Sequence, residues 1–453
     1  MSSRRTSPGG TGGHVAASRS NAVVEWRPAL SLRPEHPREQ DSRFYARVDD
    51  EITFQTEATL DLVRIDDRVG STTALRRTAR AESRRWRAAI RAGHTEPRAE
   101  GSEAVGMPEF DARLVSGRIA EADVELWGEW HDASTWLYVV VDSENRAQVS
   151  PTSSEEARAL DRIFSMASWP SIPADRLREA LEAVPQLQQL VVLDVGQGSA
   201  NALLDANGQT ILHFDAGTGV GQNAMTAPAH LSFCVCGGNP IVILSHWDQD
   251  HWAGARKDTS LLNATWIVPR QSIGATHSAF ARSILQAGGR IWVVKRSSRP
   301  RVKSLSGQCL KLLHGTGRSR NDSGQTLVVE GAGTSCKWVL PGDARYDKID
   351  QLSSYACALV ASHHGARQPA KSVPPRRSAC DYARLVYSVG HGNSYGHPST
   401  VAQHSHSRSG WALADTRFTG ASAQGRHSIA VGCQRRPQPS QHLAAVHNVV
   451  MVT

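Results

Sequence analysis

Apolar residues are sparse and aperiodic over residues 1–43, where Ser, Gly, Arg and Pro dominate, and this stretch is expected to be a disordered, basic tail. From Phe44 a pattern emerges. Residues 52–54 and 60–63 carry short strand-like or helix-like pieces. Residues 76–91 are a run of good helix formers in which Trp86 and Ile90 stand four apart. Val124 and Leu126, then residues 136–141, read as strands of a small sheet. Leu160, Ile163 and Phe164, followed by Leu177, Leu181 and Val184, recur at helical spacing. Residues 44–186 are therefore expected to form an α+β segment, and their pattern does not disclose a role.

The texture changes at Leu190. Residues 190–195, 201–204 and 209–214 read as strands, with Asn207-Gly208 as a hairpin turn between the last two. Four apolar residues, Ile241 to Leu244, mark a short buried strand. Then follow strands at 266–269 and 290–294 around a helix at 278–287, and strands at 310–313, 325–329, 337–340 and 358–361. This β-α-β alternation predicts a layered α/β architecture. The Gly-rich turns at 196–198 and 215–219 match neither a dinucleotide-binding nor a phosphate-loop pattern. They are expected to let backbone pass close to the loop after Leu244.

Polar residues at the strand ends carry the chemistry. His246, Asp248, Asp250 and His251 crowd six positions after the strand at 241–244, and each offers a lone pair to a divalent cation. Asp343 closes the strand at 337–340, and His363 and His364 close the one at 358–361. A lone Asp after Gly is ordinarily a turn residue, and a His pair can be incidental. Recurrence at three strand ends of one α/β layering points instead to a metal site.

Composition adds bounds. A length of 453 residues suggests two or three domains, and 40% apolar with 21% charged residues suits a protein with a buried core. No run approaches the roughly 18 apolar residues of a membrane helix, and the N-terminus lacks the apolar core of a secretory signal. Seven scattered cysteines fit reduced thiols, hence a cytoplasmic setting, with no membrane association expected. A net charge of +8 and a pI near 9.3 allow a polyanionic partner. The arginines at 76, 77, 80, 84, 85, 87 and 91 admit two readings, a nucleic-acid contact or a solvated or linker helix, of which the second is favoured. Trp127, Trp130 and Trp136 are read as packing residues.

The ordered series LDVGQGSANALL, FDAGTG, SHWDQDHWAG, NDSGQTLVV, VLPGD, ASHHG, SVGHGNSYGHP and ADTRFTGAS resembles the metallo-β-lactamase superfamily. Within it, the series looks most like the hydrolase domain of ComEC-type DNA-uptake proteins. The resemblance covers residues 190–431 and leaves the first 186 unmatched. It implies an αββα sandwich of two mixed sheets with outer helices over 187–435, followed by a tail at 436–453. It further implies a stand-alone domain that folds without the segment before it.

The resemblance also implies roles. His246 and Asp248 would bind one metal, and Asp250 and His251 would bind or adjoin the second. Asp343 would bridge the two, and His363 would complete the second site. Asp215 would orient the ligand loop by hydrogen bonds. Two departures stand out. Asp248 occupies a position that is His in most of the superfamily, and the usual third ligand of the first metal is missing, with only Asn321, Asp322 and Ser323 in the corresponding region. His314 is the nearest substitute in sequence, although a strand-end His is ordinarily structural. The first metal site is thus a ligand short. A donor set of His and Asp admits Mn²⁺ as well as Zn²⁺, one ion or two.

Such ions would lower the pKa of bound water and furnish a metal-bound hydroxide, with Asp250 at the centre of the chemistry. His364 and His397 would contact a substrate oxygen or protonate the leaving group, or serve as structural histidines. Two classes of function follow. One is a hydrolase of phosphodiesters in single-stranded nucleic acid, helped by arginines 299, 301, 318, 320, 367, 376 and 377, with Trp247 or Trp252 stacking a base. The other is a small-ester or lactone hydrolase, or a catalytically weakened binding protein, on the same scaffold.

Overall fold

The computed structural model describes residues 22–26, 42–48, 57–64, 72–95, 111–119, 136–141, 146–417, 428–431 and 449–451, apart from residues 237, 239, 299, 306, 332–335 and 381–382. The stretches around Val124, Trp127 and Trp130, most of the N-terminal tail, Arg299 and residues 418–422 of the last motif lie outside the described residues.

Two mixed sheets form the larger part. The first has eight strands in the order Arg290–Val294, Thr265–Pro269, Ile241–Ile243, Thr210–Ala216, Ala200–Leu204, Gln189–Val192, Ser428–Val431 and Val449–Met451. The second has seven, in the order Arg301–Lys303, Cys309–His314, Gln325–Glu330, Lys337–Leu340, Ala358–Val360, Arg384–Tyr387 and Leu413–Asp415. Alternation along each strand decides which layer a side chain enters. Leu190 and Val192 join Leu212, Phe214, Ile243 and Ile267 in a core between the sheets, against Leu310, Leu327, Val329, Leu340 and Val360. Val191, Leu193, Val242 and Leu244 point the other way, under Phe280 and Ile284 of the helix Ala275–Gln286. The outer face of the second sheet is covered by Tyr346, Ile349 and Trp411. The expected αββα layering is therefore the observed one.

Ahead of the sandwich, six strands close a barrel in the order Ala22–Trp26, Asp111–Ile119, Glu57–Arg64, Ser42–Val48, Trp136–Val141 and Arg146–Pro151. Ala22–Trp26 falls in the stretch whose composition suggests a disordered tail, and its register is set by pairing with Arg146–Pro151 and Asp111–Ile119. Local composition cannot report pairing with strands so distant in sequence.

The helix Thr72–Thr95 joins the two units. Leu75 and Ala79 pack with the barrel-side residues Val63 and Trp136. Trp86 and Ile90 enter the outer core of the first sheet, with Trp86 4.5 Å from Trp169. Buried Glu82 pairs with Arg85 at 2.7 Å and with Arg282 at 3.4 Å. Arg76, Arg77, Arg80, Arg84, Arg87 and Arg91 lie on the exposed side. The arginines face solvent, as the favoured reading of the charge run expects, while the opposite face of the helix is a packing surface. The helix thus packs one end on the barrel-side cluster and the other on the outer core of the sandwich. No helix among the described residues is long and apolar enough to cross a membrane.

Cys234 and Cys236, expected as free thiols, are joined by a disulfide. A bend at the residue between them brings their Cα atoms to 5.4 Å, inside disulfide range.

Candidate metal centre

Parallel strands of both sheets end at one place. Thr210–Ala216 and Ile241–Ile243 run parallel in the first sheet, and Lys337–Leu340, Ala358–Val360 and Arg384–Tyr387 run parallel in the second. The crevice beyond such strand ends is where open α/β sheets place ligands. Asp215, His246 to His251, Asp343, His363 and His364 all sit there.

Backbone crowding sets the metal loop. Ser199 N donates to Asp250 O at 3.0 Å, and Gly217 N donates to Ser199 O at 2.7 Å. A Cβ on Gly217 would collide with Asp250 O, and one on Gly254 with Gly217 O. The Gly-rich turns thus floor the loop, as their lack of any phosphate-loop pattern suggested.

Hydrogen bonds then aim the rings. Asp215 accepts from Ser245 N at 2.6 Å, from Ser245 Oγ at 2.9 Å and from His251 Nδ1 at 2.8 Å. Ser245 Oγ, its proton given to Asp215, accepts from His246 Nδ1 at 2.9 Å. His364 Nδ1 donates to Ser388 O at 2.8 Å. With all three Nδ1 atoms engaged, the lone pairs fall on Nε2. The Nε2 atoms of His246, His251 and His364 are buried and form no hydrogen bond. Buried polar atoms left this way are uncommon and ask for a ligand.

The donors converge in two groups that share His251. The ligand atoms of His246, His251 and Asp343 lie within 4.8 Å of one another, and so do those of Asp250, His251 and His364. His251 Nε2 is 3.1 Å from Asp343 Oδ1, and His364 Nε2 is 3.2 Å from Asp250 Oδ2. His246 Nε2 is 3.1 Å from Asp248 Oδ2. This donor set suits a divalent cation: imidazole nitrogens with ready tautomers, and carboxylates between them.

Electrostatics agree. Burial disfavours the charged ring of His251, yet Asp343, Asp250 and Asp215 raise its pKa well above the ordinary value. His364 is likewise raised, Asp343 and Asp250 outweighing burial. Burial opposes ionisation of Asp343, but His251, His363 and His364 hold it well below the usual carboxylate range. Asp250 is lowered against burial by His251 and His364. Asp248 is lowered against burial by Arg320 and His246. The same arrangement of negative charge around the rings suits a cation.

Three non-glycine residues here adopt left-handed backbone: Asp215 at φ 63°, His363 at φ 50° and His364 at φ 54°. Such conformations persist where surroundings over-determine them, often at functional sites.

No family model matches the chain, and no curated protein matches it. Among solved structures it is similar to zinc-bound PqqB from Methylobacterium extorquens, at 13% identity and a TM-score of 0.32, over 50% of this chain and 97% of that one.

Placement of the expected residues differs in several respects from the sequence reading. His364 stands with Asp250 and His251, where the resemblance put His363. The His363 ring is 38% exposed, with Nε2 3.5 Å from Asp343 Oδ2. The reason is the left-handed pair, which turns the second ring inward. Asp322 is bound by Arg345 at 2.7 Å, so it does not replace the missing ligand. His314 is buried in its strand and belongs to neither donor group. Trp247 and Trp252 are fully buried, with their indole nitrogens bonded to Pro269 O and Trp247 O, and cannot stack a base. Core packing claimed them because the loop lies over the outer core of the first sheet.

His397 reaches the rim, its ring 5.8 Å from His363 and 6.5 Å from His364. Burial, then His363 and His364, push its pKa down to about 3, so it is neutral near pH 7. Gln197 Nε2 donates to its Nδ1 at 3.3 Å, leaving the ring proton on Nε2. Ser245, Gln197 and Tyr395 escaped the sequence reading. Tyr395 is 55% exposed, with its ring 5.6 Å from His397. Its place in SYGHP was the one local signal.

Proposed function

We propose that this protein is a metal-dependent hydrolase of the metallo-β-lactamase type, related to ComEC-type hydrolase domains and acting on phosphodiesters of single-stranded nucleic acid. One observation carries the hydrolase reading: three buried imidazole Nε2 atoms without hydrogen bonds face the carboxylates of Asp343 and Asp250 at the joint end of two sheets. His251, Asp343, Asp250 and His364 would hold the cation, with His246 beside them. Bound there, Mn²⁺ or Zn²⁺ supplies Lewis acidity, bringing water toward ionisation near neutral pH and polarising the oxygen under attack.

The chain's own residues do the rest. Asp215 and Ser245 fix two rings, so the donors need no rearrangement. His397, neutral with its proton on Nε2, donates a hydrogen bond to a substrate oxygen. Arg318 and Arg367 are exposed on the loops that carry or follow the site residues and suit a phosphate backbone. Exposed Tyr395 offers a base the stacking face that the buried tryptophans cannot.

The test is cleavage of a labelled single-stranded oligonucleotide with Mn²⁺ or Zn²⁺ at low and moderate salt. Wild type should cut, less well as salt rises, and Asp250→Ala should not. Activity absent under every condition, or surviving in Asp250→Ala, removes the nuclease reading and leaves a small-ester hydrolase or a binding protein.

A further inference from the structure

The side of the centre that lacks a third ligand carries an arginine instead. Arg320 Nε forms an ion pair with Asp248 Oδ1 at 2.7 Å, with the two side chains 15% and 22% exposed. Arg320 Nη1 donates to His277 Nε2 at 3.0 Å. A guanidinium has donors only, so His277 Nε2 accepts from it, and His277 Nδ1 lies 3.3 Å from Gly274 N. His277 Nδ1 also faces Asp61 Oδ2 at 3.4 Å. Asp61 belongs to the barrel strand Glu57–Arg64, is buried, and is clamped by Thr276 N at 3.0 Å and Thr276 Oγ1 at 2.7 Å. Gln271 ties the same loops together. Its Nε2 donates to Arg320 O at 2.5 Å and to Ser323 Oγ at 2.9 Å, while its Oε1 accepts from Trp247 N at 3.1 Å.

We infer that Arg320, anchored from the N-terminal barrel through His277 and Asp61, is the permanent counter-charge of Asp248, and that the centre is therefore built for one divalent cation. The inference rests on the metal-binding reading above. A guanidinium on one carboxylate oxygen repels a divalent ion approaching the other and weakens its contact there. The guanidinium is covalently present and is also held by His277, so it takes Asp248. The donors left for a cation are Asp250, His251, His364, Asp343 and His246, in two groups that share His251 and so cannot both be filled. The first 186 residues thereby gain a role in the chemistry, because one barrel carboxylate sets the arginine that decides how many ions the site accepts.

The experiment is elemental analysis of the full-length protein after dialysis against Mn²⁺, for wild type, Arg320→Met, Arg320→Lys, His277→Gln and His277→Leu. Wild type, Arg320→Lys and His277→Gln should each hold about one ion per chain; Gln can still accept from Arg320. Arg320→Met should rise toward about two ions, and His277→Leu should rise with it. Two ions in wild type, or one ion in an Arg320→Met protein whose near-ultraviolet dichroism is unchanged, overturns the inference. His277→Leu with wild-type content overturns the anchoring. If Arg320→Met does not fold, the wild-type count decides alone. No bound ion in either wild type or Arg320→Met would instead remove the metal-binding reading itself, and the inference with it.

Discussion

The two sides of the centre are built differently. On one, Asp250, His251 and His364 offer three donors within 4.8 Å, and both rings are aimed by buried acceptors, Asp215 and Ser388 O. On the other, His246 meets only donors the two sides share, His251 and Asp343, and its neighbour Asp248 is paired with Arg320. Asp343 faces both, 3.1 Å from His251 Nε2 and 3.9 Å from His246 Nε2. The difference teaches that a ligand-rich motif does not define a site. His246, Asp248, Asp250 and His251 occupy six adjacent positions, yet their neighbours from the second sheet give them unequal partners.

The comparison breaks hardest at Asp343. Asp343→Ala removes the carboxylate common to both sides and leaves the imidazoles without their strongest counter-charge. Elemental analysis should show loss of most bound metal, and hydrolysis should fall by a factor of about 100 or more. Wild-type metal content in this variant would show that the centre lies elsewhere.

A second measurement separates the paired histidines. His364→Ala deletes a buried donor with a fixed tautomer, whereas His363→Ala deletes a half-exposed ring on the rim. Chelator competition should find Mn²⁺ affinity lowered about 10- to 100-fold in the first, and by a clearly smaller factor in the second. The reverse order would return the ligand role to His363.

The smallest effect is the dependence on pH. His251 and His364 have raised pKa values in the metal-free protein, so each holds a proton that a cation must displace. Their contribution to metal-free stability is present below the ordinary histidine value and is lost as pH rises through the raised one. Metal affinity runs the other way, growing as those protons become easier to remove. Asp343 and Asp250, both lowered, stay ionised throughout and add no slope. The gain in Tm on adding Mn²⁺ should therefore increase from about pH 6 to about pH 8. A gain independent of pH would mean that these two rings do not ligate.

Much of the sandwich was legible in the chain itself, for a local reason. The apolar runs at 190–195, 241–244 and 337–340 are strands because period-two alternation between two buried faces leaves few other structures open to them. The ligand types at their ends were legible too, since His and Asp rarely cluster behind buried strands without chemistry to perform. Three things needed the folded molecule. The strand Ala22–Trp26 depends on partners some ninety and a hundred and twenty residues away. The inward turn of His364 depends on left-handed backbone that residue type alone does not announce. The third is the unbroken contact from Asp61 through His277 and Arg320 to Asp248, drawn from four separate stretches of sequence. Strand formation and donor chemistry are properties of short windows, and the sequence by itself determined them. Which donor meets which neighbour, and whether an arginine or an ion neutralises Asp248, is a matter of distances between segments, and only the tertiary structure decided it.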